Sequence, residues 1–135
     1  MSRKAEFRFF GQVPSYQTER KKMRNGTFFM SKRYKDWGVQ CQYQLDNKMK
    51  YKEEAFSRCA LHIRFYQDSN RRRDMDNQMK SLMDMLQHTD IITDDCWQVC
   101  NPIILESRID NRNPGVSILI TSIEDSWEYS HLLLV

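Results

Sequence analysis

A chain of 135 residues, 40% hydrophobic and 29% charged, has the length of one domain (1–135) and enough apolar material for its own core. No run approaches the ~18 apolar residues of a membrane span, and Met1-Ser2-Arg3-Lys4-Ala5-Glu6 lacks the apolar stretch of a signal peptide. A cytoplasmic protein with no membrane partner is therefore expected. The cysteines, Cys41, Cys59, Cys96 and Cys100, are expected to be reduced. Without a second Cys or His pair at ligand spacing, Cys96 and Cys100 read as buried strand residues rather than a zinc site. The net charge of +3 is unevenly spread. Residues 1–73 hold 18 Lys/Arg against 7 Asp/Glu, a net of +11, and residues 74–135 hold 3 against 11, a net of −8. A basic half of this kind is the electrostatic footprint of nucleic-acid binding.

Residues 5–13 alternate, with Ala5, Phe7, Phe9 and Val13 on one side and Glu6, Arg8 and Gln12 on the other, which predicts a strand ended by Pro14. Residues 15–30 are basic and aperiodic and read as a mobile loop with phosphate-binding potential. Ser31 is placed to cap a helix reaching about residue 50, with Tyr34, Trp37, Cys41, Leu45 and Met49 as its buried stripe. Alternation returns over 55–67 and predicts a second strand. A second helix follows from Asp76 or Asn77 to about His88, with Met79, Leu82, Met83 and Leu86 inward. On its adjacent face Asp76, Lys80 and Asp84 stand at i, i+4 and i+8. Residues 96–106 form a third strand, in which Pro102 implies an edge or a bulge. Asn113-Pro114-Gly115 marks a turn, and Val116, Ile118 and Ile120 a fourth strand, the last two strands reading as a hairpin. The segment from Trp127 to Val135 is apolar enough to dock on the monomer's own sheet or on a second subunit. The expected fold class is α+β, a small mixed β-sheet with two helices.

The chemistry concentrates in Arg71-Arg72-Arg73-Asp74-Met75-Asp76-Asn77, with Lys80 close behind and Asp94-Asp95 further on. In an extended segment, residues i and i+2 share a side, so Asp74 and Asp76 are expected to converge. Like charges held together repel unless a cation sits between them or one takes a proton. A site of carboxylates and water suits Mg²⁺ or Mn²⁺. Arginines beside it point to an anionic substrate, and a phosphodiester is the obvious one. The same residues also read as a helix cap beside a solvated turn, and Lys80 as an ordinary helix ion pair with Asp76 or Asp84. The residues alone leave both readings open.

The segment resembles the RusA family of Holliday junction resolvases, whose pattern is a basic run, Asp-x-Asp-Asn, a Lys four residues after the second Asp, a short helix, then Asp-Asp-x-Gln-Val. Here the chain reads Arg71 to Asn77, then Lys80, then Asp94-Asp95-Cys96-Trp97-Gln98-Val99, one residue longer in the last element. The resemblance implies a homodimeric, RusA-like, Mg²⁺-dependent endonuclease (Mn²⁺ possible) that resolves four-way DNA junctions by paired symmetric nicks. It further implies that Asp74, Asp76 and Asp95 are metal ligands and catalytic, that Lys80 is essential for cleavage, and that Arg71, Arg72 and Arg73 hold DNA phosphates. Two alternatives stand beside it: a non-catalytic branched-DNA-binding protein, and a nuclease for flaps and forks.

Overall fold

A computed structural model describes residues 3–45 and 51–123. The expected docking of Trp127 to Val135, and Met49 of the first helix stripe, lie outside the described residues. Nine elements follow in chain order: β1 (Lys4–Phe10), α1 (Tyr16–Glu19), β2 (Arg20–Lys22), β3 (Phe28–Met30), α2 (Lys32–Tyr43), β4 (Cys59–Gln67), α3 (Met75–His88), β5 (Cys100–Ile109) and β6 (Gly115–Ser122). The fold is α+β with a mixed sheet, as the sequence predicts, but with three helices rather than two.

The main sheet has the order β1-β6-β4-β5. β6 runs antiparallel to both β1 and β4, and β5 runs parallel to β4. The last two strands are therefore not a hairpin. Ile63 sits opposite Ile118 on β6 and opposite Leu105 on β5, so β4 lies between the strands expected to pair. The Asn113-Pro114-Gly115 turn instead delivers β6 to β1, where the Gly11 N–H donates to the Pro114 carbonyl at 2.8 Å. Gly115 has φ +151, and a Cβ there would stand 2.0 Å from the Phe9 carbonyl oxygen. Only glycine allows β1 to approach so closely. Pro102 lies where the β4–β5 register shifts, on an edge strand, so both expected settings for it are met.

One sheet face makes the core. Phe9, Leu61, Ile63, Phe65, Val116, Ile118 and Ile120 join Leu82, Met85 and Leu86 of α3 and Trp37 and Cys41 of α2 in one buried cluster. The other face is open and polar, with Glu6, Arg8, His62, Arg64 and Ser117 lining a shallow concavity. That asymmetry is why β1 and β4 alternate so cleanly in sequence. Ser31 caps α2 as predicted, its side chain accepting from the Tyr34 N–H at 3.1 Å. Cys59 and Cys100 are buried neighbours across the β4–β5 pair, whereas Cys96 is half-buried in the turn before β5 rather than inside a strand.

Residues 20–30, expected within a loop, form a two-stranded hairpin instead. The Met23 N–H donates to the Thr27 carbonyl at 2.7 Å and the Gly26 N–H to the Met23 carbonyl at 3.0 Å, with Gly26 at φ +89. The short turn thus ends on a glycine in the left-handed region. Loop composition concealed it because its strands are three residues each and almost wholly exposed, so no buried face imposes a period.

Candidate active site

Strand β4 ends at Gln67, and the chain turns through residues 68–73 into α3. A set of glutamines fixes that turn. The fully buried Gln78 side chain donates to Gln67 Oε1 at 2.9 Å and to the Val13 carbonyl at 3.1 Å, and its oxygen accepts from Gln67 Nε2 at 2.7 Å. Gln12 donates to Gln67 Oε1 at 2.7 Å and accepts from the Asp68 N–H at 2.8 Å. Satisfied buried polar networks of this kind hold one geometry, because each lost bond leaves a buried group unpaired. Sequence reading missed these residues, since glutamine carries no positional signal until its partners are known.

Asp74 is the N-cap residue of α3, extended at φ −84 and ψ 118, and its side chain makes no cap hydrogen bond. Capping therefore does not account for its carboxylate. Asp76 is already helical, so the expected alternation of i and i+2 on an extended strand does not apply. Both carboxylates instead stand exposed at the N-terminal mouth of α3. No ion pair among the described residues engages either. A cleft of about 410 Å³ brings Asp74 together with Asn77, Arg33, Arg71, Arg72 and Arg73. The three arginines differ. Arg73 is tied down by Asp68 at 2.5 Å, with only 17% of its side chain exposed, while Arg71 and Arg72 face solvent.

Lys80 stands one turn beyond Asp76, and its Nζ lies 4.7 Å from the centre of the Tyr16 ring, a favourable cation–aromatic contact. Tyr16 packs edge-on against Tyr34 at 6.0 Å, and the Tyr34 hydroxyl donates to Asp84 Oδ2 at 3.3 Å. Burial raises the Asp84 carboxyl above the ordinary carboxylate range, and the charge of Asp95 adds to this. Lys80 and the Tyr34 hydrogen bond oppose it. Burial also pushes the Tyr34 phenol up, with Asp84 next in weight.

Asp95 lies elsewhere. Its neighbour Asp94 accepts at its carbonyl from Cys100 Sγ at 3.6 Å, and Cys100 pairs with Cys59 at the start of β4. Helix α3 runs back along β4. Gln78 in its first turns bonds the last residue of β4, and Ile91 just past its end accepts from the Phe56 N–H at 2.8 Å, shortly before β4 begins. The nine residues of β4 extend about 26 Å, and the 14 of α3 about 21 Å. Asp74 and Asp76 thus sit at one end of this strand–helix–strand unit and Asp95 at the other. Ligand oxygens on one Mg²⁺ stand within about 4 Å of each other. Consistent with the placement, no group of three His, Cys, Asp or Glu among the described residues is gathered for a metal ion. By donor chemistry, Asp74 and Asp76 fit a hard divalent cation; Asp95 stands further along α3, where its charge acts on Asp84.

Residues 11–121 match the family model described as Endodeoxyribonuclease RusA. The chain belongs to the RusA family. The match runs from the end of β1 almost to the end of β6, so it spans the glutamine set, the arginine run, α3 and the Asp94-Asp95 turn. No curated protein matches the sequence. Membership makes the chain a RusA-type endodeoxyribonuclease with the family's association with Holliday junctions, and the α+β sheet with its helices is consistent with that family. Among the described residues, no helix is long and apolar enough to cross a membrane.

Proposed function

We propose that this RusA-family chain resolves four-way DNA junctions by a divalent-metal-dependent pair of symmetric nicks, acting as a homodimer. The observation that carries the proposal is the α3 mouth, where Asp74, without a cap bond or ion pair, lines a cleft with the arginines, and Asp76, also without an ion pair, stands exposed two residues on. A structural role for Asp74 and Asp76 would be expected to show as a cap bond or an ion pair.

Asp74 and Asp76 would hold the ion, which supplies charge at the scissile phosphate and an activated water. Arg71 and Arg72 bind flanking phosphates and set the strand's position. Arg73 acts mainly through Asp68, holding the turn that carries its neighbours. Lys80, oriented by the Tyr16 ring, places a cation one turn from Asp76 and stabilises charge building on a phosphate oxygen.

Asp95 enters from a second copy. Among the described residues, β5 is an edge strand whose Ile103, Ile104, Leu105 and Ile109 are all more than a third exposed, an aggregation-prone edge unless it is covered. Antiparallel pairing of β5 with its two-fold mate sets the start of one β5 beside the end of the other. That carries Asp95 of one copy toward the sheet end that bears Asp74 and Asp76 of the other. A two-fold dimer then has two sites, as two symmetric nicks require.

The test is cleavage of a synthetic mobile four-way junction with and without Mg²⁺, beside flap, fork and duplex controls at equal salt. Metal-dependent paired nicks in the junction are expected. Binding without cleavage in Mg²⁺ or Mn²⁺ would reduce the chain to a DNA-binding protein, and preferential cutting of flaps or forks would move the substrate.

A further inference from the structure

The β2–β3 hairpin lies outside the proposed metal chemistry, and its composition is unusual for an exposed ribbon. Residues 20–30 carry Arg20, Lys21, Lys22 and Arg24 and no acidic residue. They also expose Phe28 at 51% and Phe29 at 45%. Neither ring belongs to the buried cluster, so core packing does not explain them. Adjacent residues of a strand point to opposite faces, and the hairpin therefore presents one aromatic on each side. On the first side the Arg20 guanidinium lies 3.7 Å from the centre of the Phe28 ring, and Lys22 is the cross-strand partner of Phe28. On the second, Lys21 is the cross-strand partner of Phe29.

The blade is firmly mounted. At its base the Ser31 N–H donates to the Glu19 carbonyl at 2.9 Å, and the Ser31 hydroxyl donates to the buried Glu19 carboxylate. The Lys21 ammonium donates to the Thr18 carbonyl at 2.8 Å. At its tip Asn25 Oδ1 accepts from the Thr27 N–H at 3.0 Å and from the Thr27 hydroxyl at 2.7 Å. Glu19 also lines the cleft that contains Asp74 and the arginines. A cationic arm with an aromatic on each side, held by these hydrogen bonds, thus starts at the wall of the candidate active site and reaches out by about 16 Å, five residues at ~3.3 Å each.

We propose that this hairpin is a branch-point arm: Phe28 and Phe29 stack on bases unpaired where DNA strands exchange, and Arg20, Lys21, Lys22 and Arg24 hold the phosphates beside them. Charge complementarity selects the occupant, since four cations with no counter-charge in the hairpin call for a polyanion. The aromatics select among polyanions, because a paired duplex offers no free base face whereas an unstacked base does. The inference rests on the junction-nuclease reading and adds the means by which the chain tells a branch from a plain duplex.

The experiment uses the full chain in EDTA, where cleavage does not interfere, and a junction with 2-aminopurine at the branch point. Wild-type protein is expected to raise the fluorescence as the base leaves its neighbours. The Phe28→Ala/Phe29→Ala double variant, whose changes lie at exposed positions, is expected to lose that rise. It should bind the junction about 10-fold or more weakly while binding plain duplex as wild type does. Lys21→Ala/Lys22→Ala/Arg24→Ala should instead make the salt dependence of junction binding shallower, by about two to three in log–log slope. A double variant with wild-type fluorescence and junction affinity overturns the arm. So does one whose binding loss tracks dissociation into monomers in sedimentation, since the rings would then belong to a contact between copies. Failure of the nuclease reading appears separately, as wild-type protein that binds the junction but never nicks it in Mg²⁺ or Mn²⁺.

Discussion

Mixing two inactive variants should restore cleavage, and the amount restored follows from where the carboxylates sit. Asp74→Asn and Asp95→Asn are each expected to abolish nicking while leaving junction binding intact or tighter. The proposed ligands Asp74 and Asp76 stand at the α3 mouth and Asp95 toward the other end of that helix, about 21 Å long, so each proposed site would draw on both chains. In a mixed dimer, one site combines Asp74 and Asp76 of the Asp95→Asn chain with Asp95 of the Asp74→Asn chain and is whole. The other site carries both changes. Random reassociation makes about half of the dimers mixed, and about a quarter of the wild-type number of sites is whole. The assay is a supercoiled plasmid extruding a cruciform, after co-refolding equal amounts of the two variants. Wild type should linearise it by paired cuts. The mixture should give nicked circles and almost no linear product, since no mixed dimer has two whole sites. Mixed dimers verified by differential tagging that show no nicking would refute the shared site and require the carboxylates to meet within one chain on binding DNA.

Lys80→Ala should lower the cleavage rate of bound junction far more than affinity, because one cation among many contributes little to binding but counts next to the developing charge; single-turnover kinetics separate the two. Gln78→Met removes three buried hydrogen bonds at nearly constant volume and should cost about 2–3 kcal/mol in urea unfolding, with cleavage falling because the Asp74 turn loses its anchor. Asp84 is raised above its unfolded carboxylate value by burial. Its neutral form is therefore favoured by folding, and stability is lost as pH rises through the folded value. Asp84→Asn should melt no lower than wild type at pH 7, and any advantage should shrink as pH falls below the unfolded carboxylate range. A variant that melts well below wild type at pH 7 in metal-free buffer would show that the Tyr34 bond outweighs burial.

The parts of the fold that sequence reveals are those with a buried face. β1 and β4 alternate because one side of the sheet meets the core and the other meets water, and α2 announces itself through Ser31 and the stripe of Trp37 and Cys41. α3 begins one residue earlier than its acidic signal predicts, which makes Asp74 the cap position and leaves its carboxylate idle. The β5–β6 pairing was misread because the Asn113-Pro114-Gly115 turn is a local signal, whereas the insertion of β4 between those strands is decided by residues about fifty positions away. The arginine run and Asp74 were legible as a unit and do share a cleft. Asp95 was legible as a candidate, but its distance from Asp74 was not, because spacing along the chain does not say that α3 turns back on β4. The glutamine set and the β2–β3 hairpin had no period or motif to betray them.

The place of β6 has a consequence for how the chain comes off the ribosome. β1 and β4 are both made early, yet each finds its antiparallel neighbour only in β6, with Lys4 facing Thr121 and Cys59 facing Ser122. Until that strand emerges, the nascent chain can assemble the β4–α3–β5 unit, but β1 has no edge to join and β4 keeps one open flank. Closing so long a loop costs entropy that no contact with β6 repays until that strand has emerged. A chain stalled anywhere before Gly115 would present the unpaired edges of β1 and β4 at once, which makes β6 a latch for solubility as much as a layer of the sheet.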